Sequence, residues 1–199
     1  MPIVAVILVL LLVALLGKAK ESAGPLEPEQ PSSVEKDLCK LPLYRVSKRD
    51  ISTFWNRISP YEKTIWDTSK KFGVDYYLVL AVIWTESSGN PGALRKENGF
   101  YSYGLMQITY NAAKDVGFAD RVELLMDPDT NILYGTKYLA LKLSEWKNPV
   151  LAIAAYNAGT RRVKSWIERG LALEDFPNWE YVKRVASYYC TLSGIVPAR

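Results

Sequence analysis

The sequence of 199 residues predicts a mainly α-helical domain with room for one small β-hairpin. Helix start and stop signals recur along most of the chain: capping residues or prolines precede apolar-periodic segments, and glycines follow several of them. No segment shows the sustained alternation of apolar and polar residues, bounded by hairpin turns, that is typical of half-buried strands. The polar stretch 90–108 is where we place the hairpin.

Each predicted helix follows from a local signal. A short helix over 50–55 begins the fold. Ser59–Glu62 matches a capping box with proline at the first helical position, and its helix ends before Gly73. Asp75 is placed to cap the next helix and Thr109 a short one. The later helices are predicted from Asp127 to Trp146, from Asn148 to Gly159, from Thr160 to Gly170 and from Trp179 to Cys190.

Two segments precede the domain, which we place at residues 51–199. Residues 3–16 form an unbroken apolar run, shorter than the roughly 20 residues that span a membrane and suited to the core of an export signal. No Lys or Arg precedes the run, whereas Lys18 and Lys20 follow it. We therefore predict that residues 1–19 are an export signal or an uncleaved membrane anchor. In residues 20–50, three prolines among Glu, Gln and Ser predict an irregular linker and lead-in.

Composition excludes several classes of function. The chain has no histidine, which excludes Ser-His-Asp and Cys-His mechanisms and histidine metal sites. Two cysteines cannot supply a Cys-rich zinc site, and no glycine-rich phosphate motif is present. We predict no metal and no cofactor. The net charge of +4 comes from scattered residues, which suits an anionic polymer such as the cell wall and does not imply nucleic acid.

Glu86 lies near the end of an apolar helix, and its environment predicts a general acid. Val79, Val82 and Ile83 precede it by seven, four and three residues, so all four share the face that should pack on the core. No cation occurs among its helical neighbours. Burial without a positive partner raises the pKa of a carboxyl group. The alternative is a Glu at a helix end that turns out to solvent.

Three motifs occur in a fixed order: Glu86–Ser87, Gly104–Gln107 and Ala154–Gly159. Together they resemble the lytic transglycosylases of the soluble (Slt-type) lysozyme-like superfamily. The resemblance runs from about Ser59 to about Ser193, and Tyr181–Val185 is similar to a fourth element of that family. It implies a lysozyme-like helical domain and a glycan lyase (EC 4.2.2 type) that acts on peptidoglycan.

The resemblance also implies a mechanism with one carboxyl group. Glu86 would protonate the leaving oxygen of the β-1,4 bond between N-acetylmuramic acid and N-acetylglucosamine. It would then act as the base that activates the C6 hydroxyl of the same muramic acid unit. The product is a 1,6-anhydro sugar, water is not consumed, and no second catalytic carboxylate is needed.

The family resemblance assigns substrate-binding roles to seven further residues. Ser87 would position the substrate or the carboxylate, Gly104 would let the backbone approach the sugar, and Met106 and Gln107 would form the cleft floor. The alternatives are a backbone hydrogen bond for Ser87 and core packing for Met106.

The other three lie in the last two motifs. Tyr156 would point at Glu86, Asn157 would contact an N-acetyl group or support the cleft, and Tyr181 would be a second cleft tyrosine. Core packing for Tyr156 and helix capping for Asn157 are the alternatives.

The loop before Gly104 holds three further candidates for the cleft. Glu97 is the carboxylate that a hydrolase of the goose-type lysozyme kind would need across the sugar, although a solvated loop charge is the simpler interpretation. Tyr101 and Tyr103 could stack on sugar rings. Because many family members have small residues here, the bulk of this loop leaves the shape of the subsites open.

Cys39 and Cys190 are the two cysteines, and they flank the predicted domain. In an exported protein they could form a disulfide that ties the N-terminal arm to the last helix. Closing so long a loop would stabilise the fold by about 4 to 5 kcal/mol in the chain-entropy model. The alternative is two unrelated thiols.

Three functions remain open at this stage. The first is an exported or membrane-tethered lytic transglycosylase, periplasmic or in the cell envelope, that acts on peptidoglycan strands as a monomer. The second is a muramidase or chitinase of the goose-type lysozyme kind. The third is a non-catalytic cell-wall-binding protein on the same fold.

Overall fold

A computed structural model describes residues 33–97 and 99–194. The predicted signal or anchor, 1–19, and residues 20–32 of the predicted linker lie outside the described residues. In the described part, no helix is both long and apolar enough to cross a membrane. The helices are α1 Ser33–Leu38, α2 Lys48–Ile58, α3 Glu62–Phe72, α4 Tyr76–Ser87, α5 Tyr110–Asp115, α6 Pro128–Trp146, α7 Pro149–Ala158, α8 Thr160–Glu168 and α9 Trp179–Leu192. Short 3₁₀ helices span Ser59–Tyr61, Val122–Met126 and Leu173–Asp175.

A small antiparallel sheet lies between α4 and α5, as predicted for residues 90–108. Its strands are β1 Leu94–Glu97, β2 Phe100–Tyr103 and β3 Ile108–Thr109, in that order across the sheet. The predicted mainly helical fold with a small β element is therefore confirmed. The register pairs Glu97 with Phe100 and Leu94 with Tyr103, so β1 and β2 form a tight hairpin.

Helix α4 is the central element of the core. Every residue from Leu78 to Trp84 is buried, and so is Glu86. Such a helix cannot be amphipathic, because neighbours cover it on all sides. Helix α9 packs along it and α3 packs beside it, while α6 packs on α3 and α7 packs on α9. The C-terminal end of α4 consequently brings its carboxyl group into the interior.

Most of the predicted helix caps are present. The side chains of Asp75, Thr109, Asp127 and Asn148 each accept a hydrogen bond from a backbone N–H in the first turn of the helix that follows. The predicted capping box at Ser59 is wrong. Ser59 has helical dihedrals, φ −51° and ψ −35°, and ends α2, whereas an N-cap residue needs an extended conformation.

The lead-in to the domain contains more structure than its composition predicts. Helix α1 packs against α7 and α9, and Leu38 is fully buried. Cys39 is bonded to Cys190, with the two Cα atoms 5.8 Å apart. The backbone N–H of Tyr44 donates to Ser187 Oγ at 2.7 Å. We predicted residues 20–50 to be irregular, but these contacts order part of that segment. Apolar burial and a covalent link offset its weak local helix propensity.

Candidate active site

A cleft of about 340 Å³ opens beside the C-terminal end of α4. The sheet forms one wall, and the end of α7 with the start of α8 forms the other. Glu86 and Gln107 lie on its inner surface, and both are buried except for a small exposed fraction. Its other lining residues are Arg95, Glu97, Phe100, Ser102, Ile108, Thr109, Asn111, Ala112, Tyr138, Tyr156, Asn157, Ala158, Gly159 and Arg162.

Glu86 is the buried carboxyl group of this cleft. It is 8% exposed, and the Tyr181 hydroxyl donates a hydrogen bond to its Oε1 at 2.7 Å. Burial raises the pKa of Glu86 to about 7, against the lowering effect of the Tyr181 hydrogen bond. Desolvation dominates because a charge in a low-dielectric interior loses more hydration than one hydrogen bond replaces.

Charged groups around Glu86 alter its pKa further. The positive charges of Arg95 and Arg184 lower the pKa, while the negative charge of Glu97 raises it. Arg95 and Glu97 form an exposed ion pair at 3.8 Å on β1. At neutral pH a carboxyl group with a pKa near 7 populates both protonation states, so it can give a proton and take one back.

The Gly104–Gln107 turn forms the floor between Glu86 and the sheet. Asn131, in the first turn of α6, holds it: its Oδ1 accepts from Met106 N at 2.8 Å, and its Nδ2 donates to the Tyr103 carbonyl at 2.6 Å. A Cβ atom on Gly104 would lie 2.5 Å from Asn131 Nδ2. Asn131 therefore leaves no room for a larger side chain at position 104. Gly104 itself does not line the cleft.

The side chains of this turn point in different directions. Met106 is fully buried and therefore belongs to the core. Its Sδ accepts a hydrogen bond from Thr136 Oγ1 at 3.7 Å. Gln107 lines the cleft with a positive φ of 45°. Its amide nitrogen donates to the carbonyls of Ala93 and Gly104 at 3.0 and 2.9 Å, which links the turn to the start of the sheet.

The two predicted cleft tyrosines make different hydrogen bonds, and Tyr156 lines the cleft whereas Tyr181 does not. The Tyr156 hydroxyl donates to the Met106 carbonyl at 2.9 Å, and Tyr181 is the residue that donates to Glu86. Burial raises the pKa of both hydroxyls well above their ordinary value, and the negative charge of Glu86 adds to this. Both tyrosines therefore remain protonated donors at neutral pH.

Asn157 lies on the rim of the cleft at the end of α7. Its Oδ1 accepts a hydrogen bond from Asn178 Nδ2 at 3.1 Å, and the same nitrogen donates to the Ala154 carbonyl at 2.9 Å. Asn178 precedes α9, so this pair connects the motif of α7 to the helix that carries Tyr181. Asn178 carries no sequence motif, and we did not predict it.

Strand alternation decides which hairpin side chains enter the cleft. Arg95, Glu97, Phe100 and Ser102 all line it, and the register pairs Arg95 with Ser102 and Glu97 with Phe100 on one face. Tyr101 and Tyr103 alternate with these residues and are absent from the lining. We predicted Glu97 and the two tyrosines for one cleft, which a two-residue alternation does not allow.

Ser87 also lies outside the cleft lining. Its Oγ donates to the Ile83 carbonyl at 3.2 Å, the backbone bond that we gave as its alternative. The residues that sequence reasoning missed are Arg95, Phe100, Ser102, Asn111, Tyr138 and Arg162. The hairpin members could have been found by applying alternation to 94–103, whereas Tyr138 and Arg162 show no local signal. Within the described residues, no group of three or more acidic or Cys side chains could hold a metal ion.

The helical fold, the small sheet and a buried carboxyl group at the wall of a cleft define a lysozyme-like domain. The transglycosylase SLT domain family matches residues 63–177, more than half of the chain, and the chain belongs to this family.

Relatives by sequence carry the same kind of domain. The chain is 38% identical over 123 residues to membrane-bound lytic murein transglycosylase C of Salmonella arizonae. The aligned region covers 54% of this chain and 33% of that protein. The protein of the same name from Serratia proteamaculans is 37% identical over 123 residues, with the same coverage. The chain thus spans about a third of the length of these curated relatives.

Solved structures show the same fold. An inactive mutant of lytic transglycosylase Slt from Pseudomonas aeruginosa, with a Glu replaced by Gln, has a TM-score of 0.58 and 28% identity, over 68% of this chain and 25% of that one. The 70-kDa soluble lytic transglycosylase Slt70 from Escherichia coli has a TM-score of 0.57 and 27% identity, over 67% and 24%.

Proposed function

We propose that this protein is a peptidoglycan lytic transglycosylase. It would cleave the β-1,4 bond between N-acetylmuramic acid and N-acetylglucosamine and form a 1,6-anhydro-N-acetylmuramic acid end. The observation that carries this proposal is Glu86: a carboxyl group with a pKa of about 7, on the wall of a cleft, with a hydrogen-bond donor on one oxygen. The names of the relatives, which include lytic murein transglycosylases, support the choice of substrate.

Proton transfer by Glu86 would drive both halves of the reaction. The protonated carboxyl gives its proton to the glycosidic oxygen as the bond to C1 breaks through an oxocarbenium-like state. The resulting carboxylate then takes the proton of the C6 hydroxyl as that oxygen bonds to C1. The Tyr181 hydroxyl would stabilise the carboxylate between the two steps, since it donates to Oε1.

The remaining cleft residues would bind and orient the sugars. Phe100 offers an exposed aromatic ring for stacking on a sugar face, and Asn157 and Asn111 offer amide groups at the rim. Arg162 and Arg95 place positive charge on opposite walls, which suits a substrate that carries carboxylates. The inactive Glu-to-Gln mutant of the Pseudomonas Slt supports the assignment of one glutamate to catalysis.

A hydrolase is the second candidate, and Glu97 favours it. This carboxylate lines the same cleft as Glu86 and influences its pKa. An inverting or retaining hydrolase uses a second carboxylate to activate water or to attack the sugar. Glu97 is exposed and paired with Arg95, which makes it a weaker nucleophile than such a role requires.

Product analysis separates these candidates. The full chain would be incubated with purified peptidoglycan, and the released sugars analysed by mass spectrometry. We expect ends of 1,6-anhydro-N-acetylmuramic acid, which are lighter by one water than reducing ends. Reducing ends that disappear in the Glu97→Gln variant would identify a hydrolase instead. A folded protein that binds the wall and releases nothing would be the third candidate, a wall-binding protein.

We also propose that residues 1–19 export or tether the protein, so that the domain acts in the cell envelope as a monomer. The relatives named membrane-bound support an envelope location. Fractionation of cells that express the full chain tests this, with N-terminal sequencing of the mature protein. Recovery of the protein in the cytoplasmic fraction would contradict it.

A further inference from the structure

A second cavity, of about 460 Å³, lies on the side of α4 away from Glu86. It is formed by the segment 44–46, by α2, by the end of α4 and by α9. Trp84 and Ser88 line it, and each is two positions from Glu86, about 200° around the helix. The lining sets of this cavity and of the cleft have no described residue in common. Its volume falls in the range of small-molecule sites.

Most of this cavity lies outside the family match at 63–177. Seven lining residues precede that range and three follow it, while Trp84 and Ser88 lie within it. The segment 44–46 is held in place at both ends, by the Cys39–Cys190 bond before it and by α2 after it. Most of the cavity wall is therefore built by residues outside the part of the chain that matches the family model.

Positive charge dominates the cavity wall. Arg45, Arg57 and Arg184 line it, against one carboxylate, Asp50. Among the described residues, none of the three arginines forms an ion pair, and Arg57 donates to the Ser88 carbonyl at 3.2 Å. Guanidinium groups present planar pairs of donors that match a carboxylate. The wall can therefore hold an anionic group without first breaking an existing ion pair.

A stack of aromatic rings forms the apolar side of the cavity. The Trp84 ring lies between Phe54 and Tyr188, with centroid distances of 4.5 and 4.3 Å and interplanar angles of 5° and 3°. Tyr188 is half-buried and closes one end of the stack. A small inorganic anion would use the arginines alone, whereas a ligand with apolar and anionic groups would use both surfaces.

Phe54 and Trp84 are buried, so Tyr188 is the accessible end of this stack. We propose that this cavity binds a short acidic peptide, whose carboxylates contact Arg45, Arg57 and Arg184 and whose apolar groups lie against Tyr188. The proposal rests on the proposed function for the source of the peptide: the stem peptides of peptidoglycan combine free carboxylates with apolar side chains.

Calorimetric titration of the full chain with a free stem peptide, L-alanyl-γ-D-glutamyl-meso-diaminopimelate, tests the proposal. We expect saturable binding, with affinity reduced at least about tenfold in Arg45→Gln/Arg57→Gln. Lys48→Gln/Arg49→Gln removes the same charge from exposed positions of α2 outside the cavity and should bind as the wild type does. Arg45→Gln alone, which breaks no hydrogen bond among the described residues, should also bind more weakly, so a misfolded double variant would not block the test.

Two further probes identify what the cavity recognises. The same peptide with amidated carboxylates should lose its affinity, and inorganic phosphate should bind more weakly than the peptide. Equal binding of phosphate, or equal binding by the wild type and the arginine variants, would overturn the proposal. Anhydro products without peptide binding would refute this inference alone, whereas peptide binding without anhydro products would refute the proposed function alone.

Discussion

Burial and hydrogen bonding act on Glu86 in opposite directions, and burial prevails. A carboxylate that accepts one hydrogen bond from Tyr181 would ordinarily have a lowered pKa, yet the pKa of Glu86 rises to about 7. Glu86 is 8% exposed, so the residues around it exclude water from most of the group. Burial of Glu86 therefore lowers the stability of the folded protein at high pH, and it also keeps a proton on the carboxyl group at neutral pH.

Replacement of Glu86 by Gln should remove this pH-dependent loss of stability. In the wild type the folded pKa, about 7, exceeds the ordinary value of 4.5, so the folded protein retains a proton that the unfolded chain has lost. Its stability should therefore fall as pH rises through this window. Relative to the wild type, Glu86→Gln should gain about 3 kcal/mol in unfolding free energy between about pH 4 and about pH 8.

Denaturant unfolding at several pH values measures this gain. Glu168→Gln removes an exposed carboxyl at the end of α8 and controls for the loss of one charge. The same Glu86→Gln variant should lose turnover by about 10²- to 10⁴-fold while it keeps its fold and its binding to the wall. Substantial residual turnover would remove Glu86 from the mechanism.

Tyr181→Phe should change the pH dependence of activity. Loss of the hydroxyl removes a hydrogen bond that lowers the pKa of Glu86, so that pKa should rise. Because the acid must be protonated, activity falls as pH rises through this pKa. The alkaline limb of the kcat/KM profile should therefore move to higher pH.

Tyr156→Phe is the matched control for this shift. It also removes a buried tyrosine hydroxyl, but that hydroxyl donates to the Met106 carbonyl. The variant should change the rate without moving the limb. Equal shifts in both variants would mean that the Tyr181 hydrogen bond does not set the pKa of Glu86.

At the level of elements, the Gly104–Gln107 turn is held in place by one side chain of α6. Asn131 is fully buried and bonds to Met106 N, to the Tyr103 carbonyl and to the Leu125 carbonyl. A buried amide with all these partners fixes the turn relative to the helix layer. The position of Gln107 in the cleft consequently depends on a residue that does not line it.

Gly104→Ala should destabilise the protein much more than Gly99→Ala. Both glycines have positive φ, 65° and 83°, so both variants should lose about 1 kcal/mol to backbone strain. Only at Gly104 would the new Cβ meet Asn131, at 2.5 Å, while nothing lies within 4 Å at Gly99. We expect a further loss of about 1 to 3 kcal/mol for Gly104→Ala, measured by denaturant unfolding. Equal losses would show that the turn can move away from Asn131.

For the whole molecule, the Cys39–Cys190 bond joins residues 151 apart in sequence, at the start and the end of the folded domain. Cross-linking so long a loop restricts the unfolded chain and should stabilise the fold by up to about 5 kcal/mol. Reductant should lower the melting temperature of the wild type, measured by circular dichroism. Cys39→Ala/Cys190→Ala should melt at the lower temperature with or without reductant. An unchanged wild type would show that the bond adds no stability.

Local chemistry made much of the fold predictable from sequence. The caps by Asp75, Thr109, Asp127 and Asn148 are bonds between residues two or three apart, so the sequence around each helix start contains them completely. The Ser59 prediction failed because Ser59 caps the C-terminal end of α2, and the local pattern does not show whether a residue ends one helix or starts the next.

The sequence by itself determined the order of the helices and motifs and placed Glu86 on the apolar face of its helix, because apolar periodicity and helix caps act over one or two turns. Only the tertiary structure decided which tyrosine donates a hydrogen bond to Glu86. Tyr181 lies 95 residues away in sequence and reaches Glu86 because α9 packs on α4. The hairpin register likewise selected Phe100 over Tyr101 for the cleft. Contacts between distant segments depend on how several elements pack at once, which no local pattern encodes.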